Sequence, residues 1–216
     1  MNYMRKDPFV NGEYYHVYNR GVDKRKVFLD KKDLGRFLQS MNIFNREEPV
    51  GSIYEFSLLQ TRLGRPTSKL VNIICYCLNP NHFHMILEQI TKNGVSEFMK
   101  RLGGGYTKYF NARYTRSGAL FQGRFKSTHV KSNEYLLHLS AYINLNNRVH
   151  HIKTPFYNSS WEEYVNEKVS AICTKNIILE QFKNRYECKN FAESSLKDIV
   201  EQRDLSEELE LLLIET

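Results

Sequence analysis

His82 and His84 flank Phe83. On a β-strand, residues two apart point to the same face, so both imidazoles project one way and Phe83, Met85 and Leu87 project the other. Imidazole is a common ligand for divalent metals, and two on one face can chelate a cation. The plainer reading is a solvated or hydrogen-bonded pair. Cys75 and Cys77 share a face of the preceding segment. A structural Cys2His2 zinc site across the two segments is therefore a rival reading of the same histidines. Against it, the Cys-x-Cys spacing is shorter than zinc sites generally use, and buried cysteines are common core residues.

Tyr142 and Asn146 are four residues apart. On a helix they lie one above the other, beside the apolar stripe of Leu136, Leu139 and Ile143. If that stripe packs on a sheet, Tyr142 and Asn146 lie at the edge of the contact and can face the histidines. That placement suits a nucleophile and an extra oxygen ligand. A half-buried tyrosine and a polar helix-end asparagine are the structural alternative. A phenol, with a pKa of about 10, is a poor nucleophile at neutral pH. A nearby divalent cation can polarise a phosphate oxygen and stabilise charge in the transition state. Attack then gives a covalent phosphotyrosine, which keeps the energy of the phosphodiester, so a 3′-hydroxyl can reverse the step.

These groups need a scaffold. Residues 14–20 are aromatic and β-branched and stop at Gly21, which predicts a strand. Asp30 reads as the N-cap of a helix carrying Leu34, Phe37, Leu38 and Met41 at helical spacing. Residues 45–69 read as a loop, with an apolar piece over 53–59 that allows a short strand or helical turn. Residues 71–88 form a hairpin around the turn triplet Asn79-Pro80-Asn81. Residues 94–114 read as a helix interrupted by Gly103-Gly104-Gly105, which implies a kink or a close approach. A strand over 119–130 follows, then a helix from about 133 to 149 capped by Ser132. The order predicts an α+β fold: a ferredoxin-like antiparallel sheet with helices on one face, plus a C-terminal helical extension.

The 216 residues suffice for one well-packed domain with an appendage, divided as 1–150 and 151–216. No apolar run approaches the roughly 18 residues of a membrane span, and no apolar segment follows the charges of residues 1–8. Cysteines 75, 77, 173 and 188 are expected as reduced thiols in a cytoplasmic protein. The net charge of +7 is unevenly spread: residues 1–150 hold 23 Lys and Arg against 11 Asp and Glu, and residues 151–216 hold 8 against 13. A basic body with an acidic tail fits a polyanion bound by the body, although charge alone also serves solubility. Candidate phosphate contacts are Asn19, Arg20, Lys24 and Arg25 after the first strand, Lys108, Arg113 and Arg116 on or after the glycine-containing helix, and Arg124 and Lys126 on the fourth strand. Phe121 and Phe125 among them are candidates for base stacking or for the core.

Four phrases resemble one family in their order and spacing: residues 15–21 (YHVYNRG), 79–84 (NPNHFH), 117–127 (SGALFQGRFKS) and 142–146 (YINLN). They resemble the single-tyrosine insertion-sequence transposases of the HUH endonuclease superfamily, and most closely the REP-associated tyrosine transposases. The resemblance runs from about residue 14 to 165. It implies that His82 and His84 bind metal, that Tyr142 becomes linked to a DNA 5′-phosphate, and that Asn146 adds a metal ligand. It implies Mg2+, with Mn2+ as a substitute, and single-stranded DNA beside short hairpins as the substrate. It implies a monomer or a homodimer. Asn147 stands where relatives usually have proline, so the helix is free to run on. The alternative within the same family is a catalytically silent relative that binds hairpin DNA or RNA.

Overall fold

Strict alternation in the His82–Gln89 strand decides which sheet face is which. Phe83, Met85 and Leu87 are buried in one core, and His82, His84 and Ile86 face the other way. The structure, a computed structural model, describes residues 8–51, 53, 56, 68–167 and 172–214, with side chains to residue 201. Its strands are β1 (Tyr14–Arg20), β2 (Val71–Asn79), β3 (His82–Gln89), β4 (Lys126–His129) and β5 (Asn158–Ser159). They form one antiparallel sheet in the order β4-β1-β3-β2-β5.

The first core lies under α1 (Lys31–Phe44) and α2 (Gly94–Arg113). Asp30 caps α1 as its sequence implies, its carboxylate accepting from the Lys32 and Asp33 backbone amides at 2.9 and 3.0 Å. Asp33, fully buried, joins the two helices. Its carboxylate accepts from the Leu29 amide (2.8 Å), the Tyr109 and Tyr114 hydroxyls (3.1 and 2.9 Å) and the Arg113 guanidinium (2.8 Å). Arg113 also holds Asp30 at 2.5 Å.

The expected α+β sheet is present, with α1 and α2 on one face. The second face is covered too over its β2 end. There α3 (Asn133–Asn144), opened by the Ser132 hydroxyl accepting from the Tyr135 amide at 3.1 Å, lays Leu136, Leu139 and Ile143 on Ile74, Cys75, Cys77 and Ile86. Trp161 and Tyr164 of α5 (Trp161–Val165), Ile178 of α6 (Asn176–Leu179), and Cys188 and Ala192 of α7 (Arg185–Ile214) complete that core. The reason is in β2: a register shift between Ile73 and Cys75 turns a nearly continuous apolar run to both faces, so both need cover. The β1 and β4 side of the second face carries polar residues and stays open.

Several local features differ from the sequence reading. The fourth strand covers only Lys126–His129. Residues 119–125 instead run as a loop past the end of β1, with Gly118 and Gly123 at φ +83° and +71° and the Gln122 amide bonded to the Arg20 carbonyl at 2.8 Å. Arg124 therefore lies on a loop. The helix expected over 133–149 breaks at Leu145 (φ −108°, ψ 14°), and a separate turn, α4 (Asn146–Val149), follows. β5 was not expected. The apolar piece over 53–59 lies largely outside the described residues.

The glycine triplet does not kink α2. A Cβ on Gly105 would lie 2.6 Å from the Phe44 ring, so here the close approach is real and comes from a side chain of α1. A Cβ on Gly104 would meet nothing within 4 Å. Gly104→Ala is therefore expected to raise stability by about 0.5–1 kcal/mol through helix propensity. Gly105→Ala is expected to lower it by about 1–3 kcal/mol, because Phe44 is packed among Ile43, Ile53 and Phe56. Urea unfolding of the two variants checks both signs.

Candidate active site

The sheet register assembles the site. Pairing of β1 with β3 sets Tyr18 opposite His84, Arg20 opposite His82 and His16 opposite Ile86. Pairing of β2 with β3 sets Asn79 opposite His82, and β4 sets Lys126 opposite Tyr18. All lie on the second face, with Tyr18, Arg20 and Lys126 on its open side and Asn79 and Ile86 buried, because alternation holds along β1, β3 and β4 and resumes in β2 after its register shift. The His82 and His84 rings are 5.2 Å apart and nearly perpendicular.

Tyr142 reaches this face from the edge of α3, as its position beside the apolar stripe implies. It is half-buried, and its ring meets that of His84 edge to face at 6.0 Å between centroids. Asn146 arrives from α4 and is fully buried. Its Oδ1 lies 3.3 Å from His82 Nε2 and accepts from Asn79 Nδ2 at 2.6 Å. The break at Leu145 thus replaces the single continuous turn expected between Tyr142 and Asn146, yet both side chains still converge on the histidines.

Proton positions follow from the partners. His82 Nδ1 lies 2.6 Å from Asn81 Oδ1, an acceptor, so Nδ1 carries the proton and Nε2 presents its lone pair. Asn79 Nδ2 lies 2.9 Å from that Nε2 and so donates to both His82 and Asn146. Asn146 Nδ2 is buried with no hydrogen-bond partner. Burial pushes His82 and His16 down to about 4 and holds His84 well below the usual imidazole range. All three are neutral at pH 7, the state that ligates metal.

Two lone-pair atoms, His82 Nε2 and Asn146 Oδ1, facing each other at 3.3 Å fit a cation. Metal–ligand bonds of about 2.1 Å put neighbouring ligands about 3 Å apart. His82, His84 and Asn146 are the residues that would hold a divalent cation, which would take the place of the Asn79 amide that donates to His82 and Asn146. The zinc reading fares worse. Cys75 and Cys77 share the histidines' face but are buried free thiols in the second core, and burial pushes Cys77 up to about 12. Among the described residues, no group of three or more His, Cys, Asp or Glu side chains is arranged to hold a metal.

The expected phosphate contacts divide. Arg20, Lys24, Lys108, Arg124 and Lys126 are exposed. Arg20 is steadied by Gln122 Oε1 at 2.5 Å, and Asn19 holds the loop through the Gly123 carbonyl at 3.2 Å. Arg25 turns back to the Val22 carbonyl and Asp23. Arg116 is engaged by Asn111 Oδ1 at 2.7 Å and the Ala119 carbonyl at 3.2 Å. Arg113 is committed to Asp30 and Asp33. Phe121 is buried in the first core, whereas Phe125 is half-buried against it.

Sequence reasoning assigned no role to His16, Tyr18, Asn79 or Asn81. The signal was present for two of them: His16, Tyr18 and Arg20 alternate along one predicted strand. Asn79 and Asn81 were legible only as turn formers. His150, whose ring lies 5.3 Å from that of His82, follows the unforeseen helix break.

Comparison with known proteins bears on this geometry. Residues 63–146 match the family described as "Transposase IS200 like". This IS200-like segment contains His82 and His84, includes Tyr142 and ends at Asn146, and it supports the family resemblance read from the sequence. The family is one of transposases. No curated protein matches the chain. A solved structure described as "Structure of the REP associates tyrosine transposase bound to a REP hairpin" is similar to 80% of this chain and 90% of that chain, at 16% identity and a TM-score of 0.48. Among the described residues no helix is long and apolar enough to cross a membrane.

Proposed function

We propose that the protein nicks and rejoins single-stranded DNA beside hairpins through a 5′-phosphotyrosine on Tyr142. The observation that carries this reading is the meeting of His82, His84, Asn146 and the Tyr142 ring on the second face of the sheet, where its helical cover ends. A bound Mg2+ or Mn2+ would supply Lewis-acid polarisation of a phosphate oxygen. Arg20 on β1 and Lys126 on β4 lie to the same side of the histidines and bind the phosphate backbone beside the reacting group. The Tyr142 hydroxyl attacks phosphorus, the bond to the 3′-oxygen breaks, and the phenol's proton is balanced by the one the departing 3′-hydroxyl gains. Reversal by a 3′-hydroxyl rejoins the strand with no nucleotide cofactor.

The test uses a hairpin-bearing single-stranded oligonucleotide with Mg2+ or Mn2+. A covalent protein–DNA band that survives a denaturing gel is the expected result. Tight binding with no band under either metal would overturn the enzyme in favour of the silent binder. The loop cation enters here as well. Arg124→Ala is expected to weaken hairpin binding and to reduce the slope of log affinity against log salt by about 1. An unchanged slope removes Arg124 from the contact surface.

A further inference from the structure

His16 lies outside every role given so far, yet it is in hydrogen-bond contact with His84. Its Nε2 is 2.9 Å from His84 Nδ1, and the two rings are nearly parallel at 5.1 Å. Tyr18 stacks on His84 at 5.5 Å and lies tilted against His16 at 4.9 Å. The contact is built into the sheet, since β1 and β3 pair with His16 and His84 two register steps from each other's partners.

Two ring nitrogens at this distance share one proton, and there are two ways to place it. If His16 Nε2 carries it, His84 must hold its own proton on Nε2 and has no lone pair left outside the contact. If His84 Nδ1 carries it, His84 Nε2 holds a lone pair. Only the second arrangement gives His84 a nitrogen that can ligate. Resting on the cation site proposed above, we infer that His16 is a positioning residue: its Nε2 accepts the Nδ1 proton of His84 and fixes the tautomer in which His84 Nε2 is a metal ligand. Metal-binding histidines generally need such a partner on the second nitrogen, usually a carboxylate or a carbonyl, and losing it typically weakens binding 10- to 100-fold. Here a neutral imidazole takes that place, with its ring clamped by Tyr18. Because His16 is neutral, it orients His84 without adding negative charge beside a DNA phosphate.

The test measures Mn2+ binding to the full chain by the electron paramagnetic resonance of free Mn2+. His16→Phe keeps a flat ring beneath Tyr18 and removes the acceptor; its Kd for Mn2+ is expected to rise 10- to 100-fold. His16→Gln returns an acceptor oxygen and is expected to stay within a few-fold of the wild type. Equal affinity in the Phe variant and the wild type overturns the role of His16 while leaving the metal site standing. A wild type that binds no Mn2+ overturns the site itself, and the inference with it. Should the Phe variant not fold, long-range 1H–15N spectra of the wild type with labelled histidines and Mg2+ decide the matter. The proton of His84 on Nδ1 is the expected result, and a proton on Nε2 overturns the inference.

Discussion

Tyr142→Phe is expected to leave the protein folded and DNA-binding but to remove the covalent product. The substitution deletes one oxygen and keeps the ring, so the edge-to-face contact with His84 at 6.0 Å and the packing of α3 survive. His82 and His84 keep their contacts with Asn79, Asn81, Asn146 and His16. Binding of the hairpin oligonucleotide should stay within about two-fold, because the phosphate contacts proposed for Arg20 and Lys126 do not involve the Tyr142 hydroxyl. Removal of a nucleophile with no substitute costs orders of magnitude in rate, on the order of 10⁴ or more. A denaturing gel and a binding titration on the same sample separate the two effects. Adduct persisting in Tyr142→Phe would transfer the nucleophile to another residue.

Asp33→Ala is expected to be the most damaging substitution away from the site, lowering stability by about 2–4 kcal/mol. The fully buried carboxylate satisfies four donors at once, from α1's leading loop, Tyr109, Tyr114 and Arg113. Alanine would strand the Tyr114 hydroxyl and the Leu29 amide and take one partner each from Arg113 and Tyr109 at a helix–helix contact, where losing a buried acceptor costs more than the bonds themselves contribute. For a chain of this size the melting temperature should drop by roughly 10 °C. Asp30→Ala, which removes a more exposed partner and a cap, should cost about 1 kcal/mol. The contrast also tests how Arg113 is used. If Arg113→Ala lowers stability and leaves the salt slope of DNA binding unchanged, its charge serves the fold.

What the sequence made legible follows a physical rule. Short-period patterns came through: His82 and His84 on one face and Phe83, Met85 and Leu87 on the other, Asp30 and Ser132 as caps, and the Leu136, Leu139 and Ile143 stripe that brings Tyr142 to the histidines. Features set by tertiary partners did not. The break at Leu145 leaves no breaker residue to read, and the contact of His16 with His84 depends on register between strands 68 residues apart. β5 spans two residues, too few for any pattern, and exists because β2 offers it an edge. Arg113 shows the opposite error. Its charge looked available for phosphate because nothing local announces that Asp30 and Asp33, 80 and more residues earlier, will meet it.

That edge of β2 has its own consequence. Cys77 and Leu78 pair with β5, the Tyr76 carbonyl accepts from the Ser160 amide at 3.0 Å, the Ile74 carbonyl from the Tyr164 hydroxyl at 2.8 Å, and the Ile73 carbonyl from the Thr174 amide at 2.8 Å. A long apolar strand with such a flank unpaired is a template for strand-by-strand growth between molecules. The acidic segment therefore works as a guard rail along the most aggregation-prone border of the sheet. The border left open is the four-residue β4, where exposed Lys126 and Thr128 discourage the same growth.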